Sequence, residues 1–288
     1  MAADIRQLCG VFKLRIGFAI ALSALAGLAV APGPPFPFWN AAALVLAVLL
    51  GAASAGAFNQ FAERDLDARM IRTRDRPFVT GRFTAGPAWL TIIGALLVVS
   101  VTLAAWAANV VAATHVFLGA FVYGVVYTVW LKRRTWLNIV IGGLSGSFAV
   151  LAGAAAVDPA PSAVPVCLAV VLFLWTPPHF WSLAMAARDD YARANVPMLP
   201  VVVGDAKAAK VILAHTVALV AASLLPFVFG LGLVYLALAV IGGWVFLEKS
   251  IALVRAPGPA AAQANFKASL LQLSLILAGA MADAWLPL

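Results

Sequence analysis

The chain has 288 residues, of which 64% are hydrophobic and only 10% charged, and its mean hydropathy is +1.02. Soluble domains carry an apolar share of about 45–50%, so a water-soluble fold is excluded and the chain reads as an integral membrane protein. The net charge of +8 sits in short basic clusters between apolar runs, the pattern of loops beside anionic lipid rather than of a nucleic-acid surface.

Nine apolar segments of helical length follow one another, at 14–31, 40–62, 88–106, 110–130, 137–157, 163–187, 208–229, 231–253 and 267–286. Each approaches the roughly 20 residues that a bilayer core requires, and no β-barrel alternation is visible. The expected fold is therefore an all-α integral membrane protein, a single membrane-embedded domain over 1–288 with nine transmembrane helices. All nineteen Lys and Arg residues fall on one side of this pattern, whereas the opposite loops, near 32–39, 106–109, 158–162 and 230, carry none. The positive-inside rule then places the N-terminus in the cytoplasm and the C-terminus outside, in the cell inner membrane. A rival reading of the first segment is a signal peptide, because the run ends Ala29-Val30-Ala31. Cys9 and Cys167 are expected on opposite faces of the membrane, so neither a disulfide nor a zinc site is supported.

The second segment ends in the densest charge of the chain. Residues Asn59 to Arg82 hold four of the eleven acidic residues and six of the nineteen basic ones. Asn59, Glu63 and Asp67 are spaced four apart, which on a helix keeps them within roughly 80° of arc along about 12 Å of axis. Three oxygen-bearing side chains on one face suit Mg²⁺, which binds through a few carboxylates together with substrate phosphates. A solvated helix end is the competing account; it fits Arg64 and Arg69, but fits Asn59 poorly because Asn59 is still inside the apolar segment. Asp65 lies off this face and joins it only if the helix bends. After the acids, Pro77 disfavours helix at Arg76, and an extended or turn segment would let Arg72, Arg74 and Arg76 point one way and clamp a diphosphate. Ordinary inside-positive charge explains the same arginines.

Further along, Lys132, Arg133 and Arg134 follow Tyr127 to Leu131 at the end of the fourth segment. Alone they are a membrane anchor; beside the acids they supply positive charge for a leaving diphosphate. Gly142 and Gly146 form a GxxxG pair that reads as close helix packing. In the sixth segment, Trp175-Thr176-Pro177-Pro178-His179-Phe180-Trp181 places adjacent prolines inside a membrane helix, so a kink facing the interior is expected, with His179 beside it. His115 and His215, each alone in an apolar segment, read as packing residues. Asp189 and Asp190 stand at the exit of the sixth segment, where they could complete a second metal site. The two long polar connections, 63–87 and 188–207, fall on the same face and are natural lids over a cavity opening there.

Taken together these blocks resemble the UbiA superfamily of membrane prenyltransferases. The resemblance is carried by Asn59 to Met70 with Arg72 to Pro77, by Tyr127 to Thr135 with Asn138 to Gly143, and by Trp175 to Phe180 with Asp190 to Arg193 and Val196 to Pro200, in family order over essentially the whole chain. It implies nine helices around a central cavity and an allylic diphosphate held through Mg²⁺. Its third block is similar to the branch that modifies heme, which implies farnesyl diphosphate and heme b as substrates and heme O as product. Matched residue by residue, the resemblance implies metal ligation by Asn59, Glu63, Asp67 and Asp190. It implies diphosphate binding by Lys132, Arg133 and Arg193, to which the reading of the first polar loop adds Arg72, Arg74 and Arg76; Lys132, Arg133 and Asp190, with His179 beside the proline pair, are the expected catalytic set. His179, Tyr127 and Trp175 are the expected acceptor contacts. Two departures stand out: no DxxxD follows the sixth segment, and the fifth lacks the proline pair and tryptophan common in the heme branch. Alternatives are an aromatic or quinone-precursor acceptor, or a transporter or heme carrier; a carrier would scatter ionisable groups through the membrane midplane.

Overall fold

The computed structural model describes residues 2–160 and 162–285; Pro161 and Leu286, at the edges of two predicted elements, lie outside that range. Among the described residues, eight helices are long and apolar enough to cross a membrane. A ninth span results if Ile5–Val11 and Leu14–Val30, which meet at 52°, are counted as one bent pair. The nine expected segments are all present.

The bent pair is α1 (Ala2–Val11) and α2 (Leu14–Val30). They are broken at Lys13, whose φ of 48° is left-handed, a conformation that costs an L residue about 1–2 kcal/mol. The reason lies in its side chain, which is tied into the site described below. α2 packs directly on α8 (Leu144–Val157) through glycines. A Cβ on Gly27 would lie 2.0 Å from the Val150 carbonyl oxygen, and one on Gly153 would lie 1.8 Å from that of Ala24. Backbone contact of this kind is what membrane helices use in place of a hydrophobic driving force.

α3 (Phe38–Ala62) carries the acid-rich end, and the short α4 (Arg64–Asp67) follows a break at Glu63. The single helical face expected for Asn59, Glu63 and Asp67 is thus interrupted. Residues 70–82 then form consecutive turns rather than an extended strand, and the loop is pinned by Phe78, packed edge-on against Phe61 and Trp89. α5 (Pro87–Ala107) leads to α6 (Val110–Phe121), which continues as a π-helical segment, Val122–Leu131. Such i→i+5 stretches are rare and concentrate at functional sites.

The fifth span is split into α7 (Asn138–Gly142) and α8. Of the GxxxG pair only Gly142 sits in a tight place, where a Cβ would be 3.0 Å from the Tyr127 ring. α9 (Ala163–Ala186) runs as one helix through Pro177 and Pro178. The short α10 (Arg188–Arg193) and α11 (Leu199–Val203) precede α12 (Asp205–Ala222); α13 (Leu225–Val228), α14 (Leu233–Arg255) and α15 (Pro259–Trp285) complete the bundle.

A buried polar ladder joins four of these spans. Ser182 donates to the Pro178 carbonyl, Asn265 donates to Ser182, Ser250 donates to Asn265, and Thr216 bonds Ser250. In hydrocarbon each such bond is worth roughly 0.6–2 kcal/mol, so the ladder fixes the register of α9, α12, α14 and α15.

Candidate active site

Charged side chains buried at the end of a membrane helix must be paired or they would neutralise. Asn59, Glu63 and Asp67 are only 2%, 1% and 3% exposed, and each meets a cation. Lys132 Nζ lies 2.5 Å from Glu63 Oε2, Arg76 Nη1 is 2.7 Å from Asp67 Oδ2, and Lys13 Nζ donates to Asn59 Oδ1 at 2.5 Å. The last of these is a residue absent from the set expected by sequence. Lys13 also donates to the Tyr123 hydroxyl at 2.9 Å, and the left-handed turn at its backbone is what aims it there. Gly56 makes room for it, since a Cβ at that position would be 3.2 Å from the Lys13 Cβ.

The π-helical segment supplies the opposite wall. Thr128 donates to the carbonyl of Tyr123, five residues back, and accepts from Asn59 Nδ2 at 2.9 Å. Tyr123 and Tyr127 stack with ring centres 5.5 Å apart, and Lys132 sits 5.6 Å from the centre of the Tyr127 ring. Burial alone would push the Lys132 ammonium down, but Glu63 beside it reverses the balance and holds it above its ordinary value.

Glu63 Oε1 is the telling atom: it is buried with no hydrogen-bond partner. An orphaned carboxylate oxygen, with the oxygens of Asn59 and Asp67 engaged only by cations, is a donor set that fits Mg²⁺. Among the described residues no three His, Cys, Asp or Glu side chains converge closely enough to hold an ion alone, so phosphate oxygens would have to complete the shell.

The remaining expected residues divide. Arg133 turns outward to a bidentate pair with Asp65, both about half exposed, and this pairing holds the Asp65 carboxyl below its usual range. Asp190 does not join Glu63 or Asp67. Its two oxygens accept from the backbone N–H groups of Ile71 and Arg72 at 3.1 and 3.2 Å, and it is paired with Arg193. Burial would raise the Asp190 carboxyl; the Arg72 and Ile71 amides and Arg193 outweigh burial and lower it. Arg72 reaches the Tyr191 hydroxyl, Arg74 is exposed, and only Arg76 points to the acids. Asp190 therefore clasps the first long loop to the second, and the three arginines do not share a direction. Asp189 is exposed.

His179 lies in a separate aromatic cage. Its ring stacks between Trp175 and Phe266, at 4.0 and 4.6 Å, with Phe180 edge-on. Nδ1 is 2.7 Å from Ser269 Oγ, whose own proton goes to the Phe266 carbonyl at 2.6 Å. His215 is bonded to the Val211 carbonyl and packs on Trp181, a structural role.

Beneath Lys13 and Tyr123 a partly open cavity runs down between α2, α3, α6 and α8, lined by Ile16, Gly17, Ala52, Ala55, Gly119 and other small or apolar residues. The buried ion cluster stands at its mouth.

Comparison with known proteins gives the family and the fold. Residues 20–276 match the UbiA prenyltransferase family. The chain is 60% identical over 283 residues, 98% of each protein, to protoheme IX farnesyltransferase 2 of Paramagnetospirillum magneticum. The fold is similar to that of a solved digeranylgeranylglyceryl phosphate synthase, with TM-score 0.80 at 17% identity over 98% of this chain and 99% of that one. It is also similar to a UbiA homolog from Archaeoglobus fulgidus bound to DMAPP and Mg²⁺, with TM-score 0.73 at 16% identity over 98% and 100%. This chain is a membrane prenyltransferase belonging to the UbiA prenyltransferase family.

Proposed function

We propose that the chain transfers the farnesyl group of farnesyl diphosphate to a vinyl group of protoheme IX (heme b), giving heme O. Support for the acceptor comes from the relative of 60% identity that carries this activity in its name, and from the caged His179, since imidazole is the usual axial ligand of heme iron. The observation that carries the diphosphate chemistry is the set of Lys13, Lys132 and Arg76 around the buried Asn59, Glu63 and Asp67 at the mouth of an apolar cavity.

In the reaction the C1–O bond of farnesyl diphosphate breaks and the diphosphate leaves with the bonding electrons. The vinyl π electrons of the porphyrin form the new bond to C1, and water captures the resulting cation, releasing a proton. Lys13, Lys132 and Arg76 hold the charge that develops on the leaving oxygens; fixed cations in a site shielded from water do this with no reorganisation during the step. Asn59, Glu63 and Asp67 are the residues that would hold Mg²⁺, which when bound supplies further positive charge to the diphosphate. The Asp190 clasp keeps the arginine-bearing loop over the site, and the apolar cavity keeps water from the allylic carbon. The basic loops beside this mouth support, through the positive-inside rule, a site opening to the cytoplasmic side of the cell membrane.

The test is an acceptor comparison: purified protein, farnesyl diphosphate and Mg²⁺ are incubated with heme b or with 4-hydroxybenzoate, and products are separated by chromatography. Heme O with the first and nothing with the second is expected. Product only with the aromatic acid would move the assignment to an aromatic acceptor.

A further inference from the structure

The cavity below the ion cluster has a definite depth. From the π-helical segment into α6 its lining runs from Tyr123 down to His115, along α3 from Gly56 down to Val48, and from the break before α2 along that helix from Lys13 down to Ile20. The first two intervals are eight residues and the third seven, so three independent helices give a depth of about 10–12 Å at the helical rise of about 1.5 Å per residue. Ala149 of α8 closes the fourth side at the same level. Below this floor lies a tightly packed layer of small side chains, including Ala21, Ala24, Ala47, Ala112 and Ala152, all 3% exposed or less. An isoprene unit contributes four chain bonds of about 1.5 Å, so an extended unit advances roughly 5 Å. Asn59 of the ion cluster stands three residues, about 4.5 Å, above Gly56 on α3, so with C1 at its level three units, about 15 Å in all, reach the floor and a fourth would enter the alanine layer.

His115 is the unusual member of that floor. Its ring stacks on Phe148 at 5.8 Å, and its Nδ1 is buried without a partner. An imidazole lining the bottom of an apolar cavity presents a flat, bulky surface, and its N–H edge can meet the π face of a terminal double bond. We propose that this cavity gauges the length of the isoprenoid tail and that His115 is its stop, so that the enzyme takes a fifteen-carbon diphosphate and refuses a twenty-carbon one. The proposal rests on the prenyl-transfer reading of the same site for its ligand, but not on heme as acceptor.

The experiment separates the two. Binding of the thio-diphosphate analogues of geranyl, farnesyl and geranylgeranyl is measured in detergent without heme, and product ratios are then read from an equimolar mixture of the three natural diphosphates with heme b. The unchanged enzyme is expected to favour the fifteen-carbon chain in both. His115→Ala should raise the twenty- to fifteen-carbon ratio at least tenfold, and His115→Leu, which keeps bulk without the N–H edge, should leave that ratio within about threefold of the unchanged enzyme. Ala149→Leu, which adds bulk at the floor from the opposite helix, should shift preference toward ten carbons. The gauge is overturned if the unchanged enzyme binds the twenty-carbon analogue as well as the fifteen-carbon one, as it would if the tail left sideways past the exposed Ile16. It is equally overturned if His115→Ala and Ala149→Leu, both still binding farnesyl, leave the ratios unmoved. Selective binding with no prenylated heme would uphold the gauge and overturn the heme assignment instead.

Discussion

Replacing Lys132 by Met separates the two jobs of the buried ion pair. Glu63 is 1% exposed, one of its oxygens already lacks a partner, and Lys132 Nζ at 2.5 Å is the cation on the other. Removing that partner strands a carboxylate, and breaking a buried pair from one side costs about 3–5 kcal/mol. Changing Glu63 to Gln in the same chain removes the stranded charge, so Glu63→Gln/Lys132→Met should recover most of the loss, to within about 1–2 kcal/mol of the unchanged protein. Turnover should not recover: losing a preorganised donor to a developing oxyanion lowers kcat by about 10²–10³-fold, and the double variant lacks it as well. Stability is followed by unfolding in mixed detergent micelles and turnover by heme O formation. A Lys132→Met protein as stable as the unchanged one would refute the pairing argument. A double variant that regains turnover would remove Lys132 from the chemistry.

Lys13→Met takes the second cation from the mouth; kcat is expected to fall by about 10²-fold with little loss of stability, because Asn59 is neutral and is left with one unmet oxygen rather than a stranded charge. Lys13→Arg should restore only part of the activity, since a planar guanidinium does not reproduce the Asn59 and Tyr123 bonds of an ammonium. The Asp190 clasp predicts a pH dependence whose sign follows from its lowered carboxyl. A depressed carboxylate contributes its full stabilisation above its ordinary value of 3.8 and loses it as pH falls through the lower folded value. Proteolysis of the 63–87 loop should therefore be slow from neutral pH down to about 4 and accelerate below it, whereas Asp190→Asn should be cleaved faster at neutral pH and show no such step.

The spans were legible because a bilayer imposes length and hydropathy on every helix, and the acid-rich end of α3 was legible because charge there is so scarce. Partner choice was not. The sequence spacing of Glu63, Asp65 and Asp67 could not say that the first would bury on Lys132 while the second turned out to Arg133, since that depends on the break at Glu63. Asp190 is expected at the metal by position, and nothing in its sequence context signals that it also accepts two backbone amides from a loop 118 and 119 residues away. Lys13 carried one available signal, a basic residue directly before the first apolar segment, but sequence makes it an ordinary inside-positive charge. Its left-handed backbone and the gap at Gly56 are tertiary facts. The π-helical segment was invisible for the same reason: its residues have ordinary helical periodicity, and the wider turn shows only in backbone bonds such as that from the Lys132 N–H to the Tyr127 carbonyl, five residues back.

The central claim, farnesyl transfer to a heme vinyl group with water closing the reaction, is tested most directly by one incubation in ¹⁸O-labelled water. Purified protein, Mg²⁺, farnesyl diphosphate and heme b should yield a farnesylated heme whose new hydroxyl carries the label, read as a two-mass-unit increase by mass spectrometry. Unlabelled product, or hydrolysis of the diphosphate with the heme unchanged, would contradict the account.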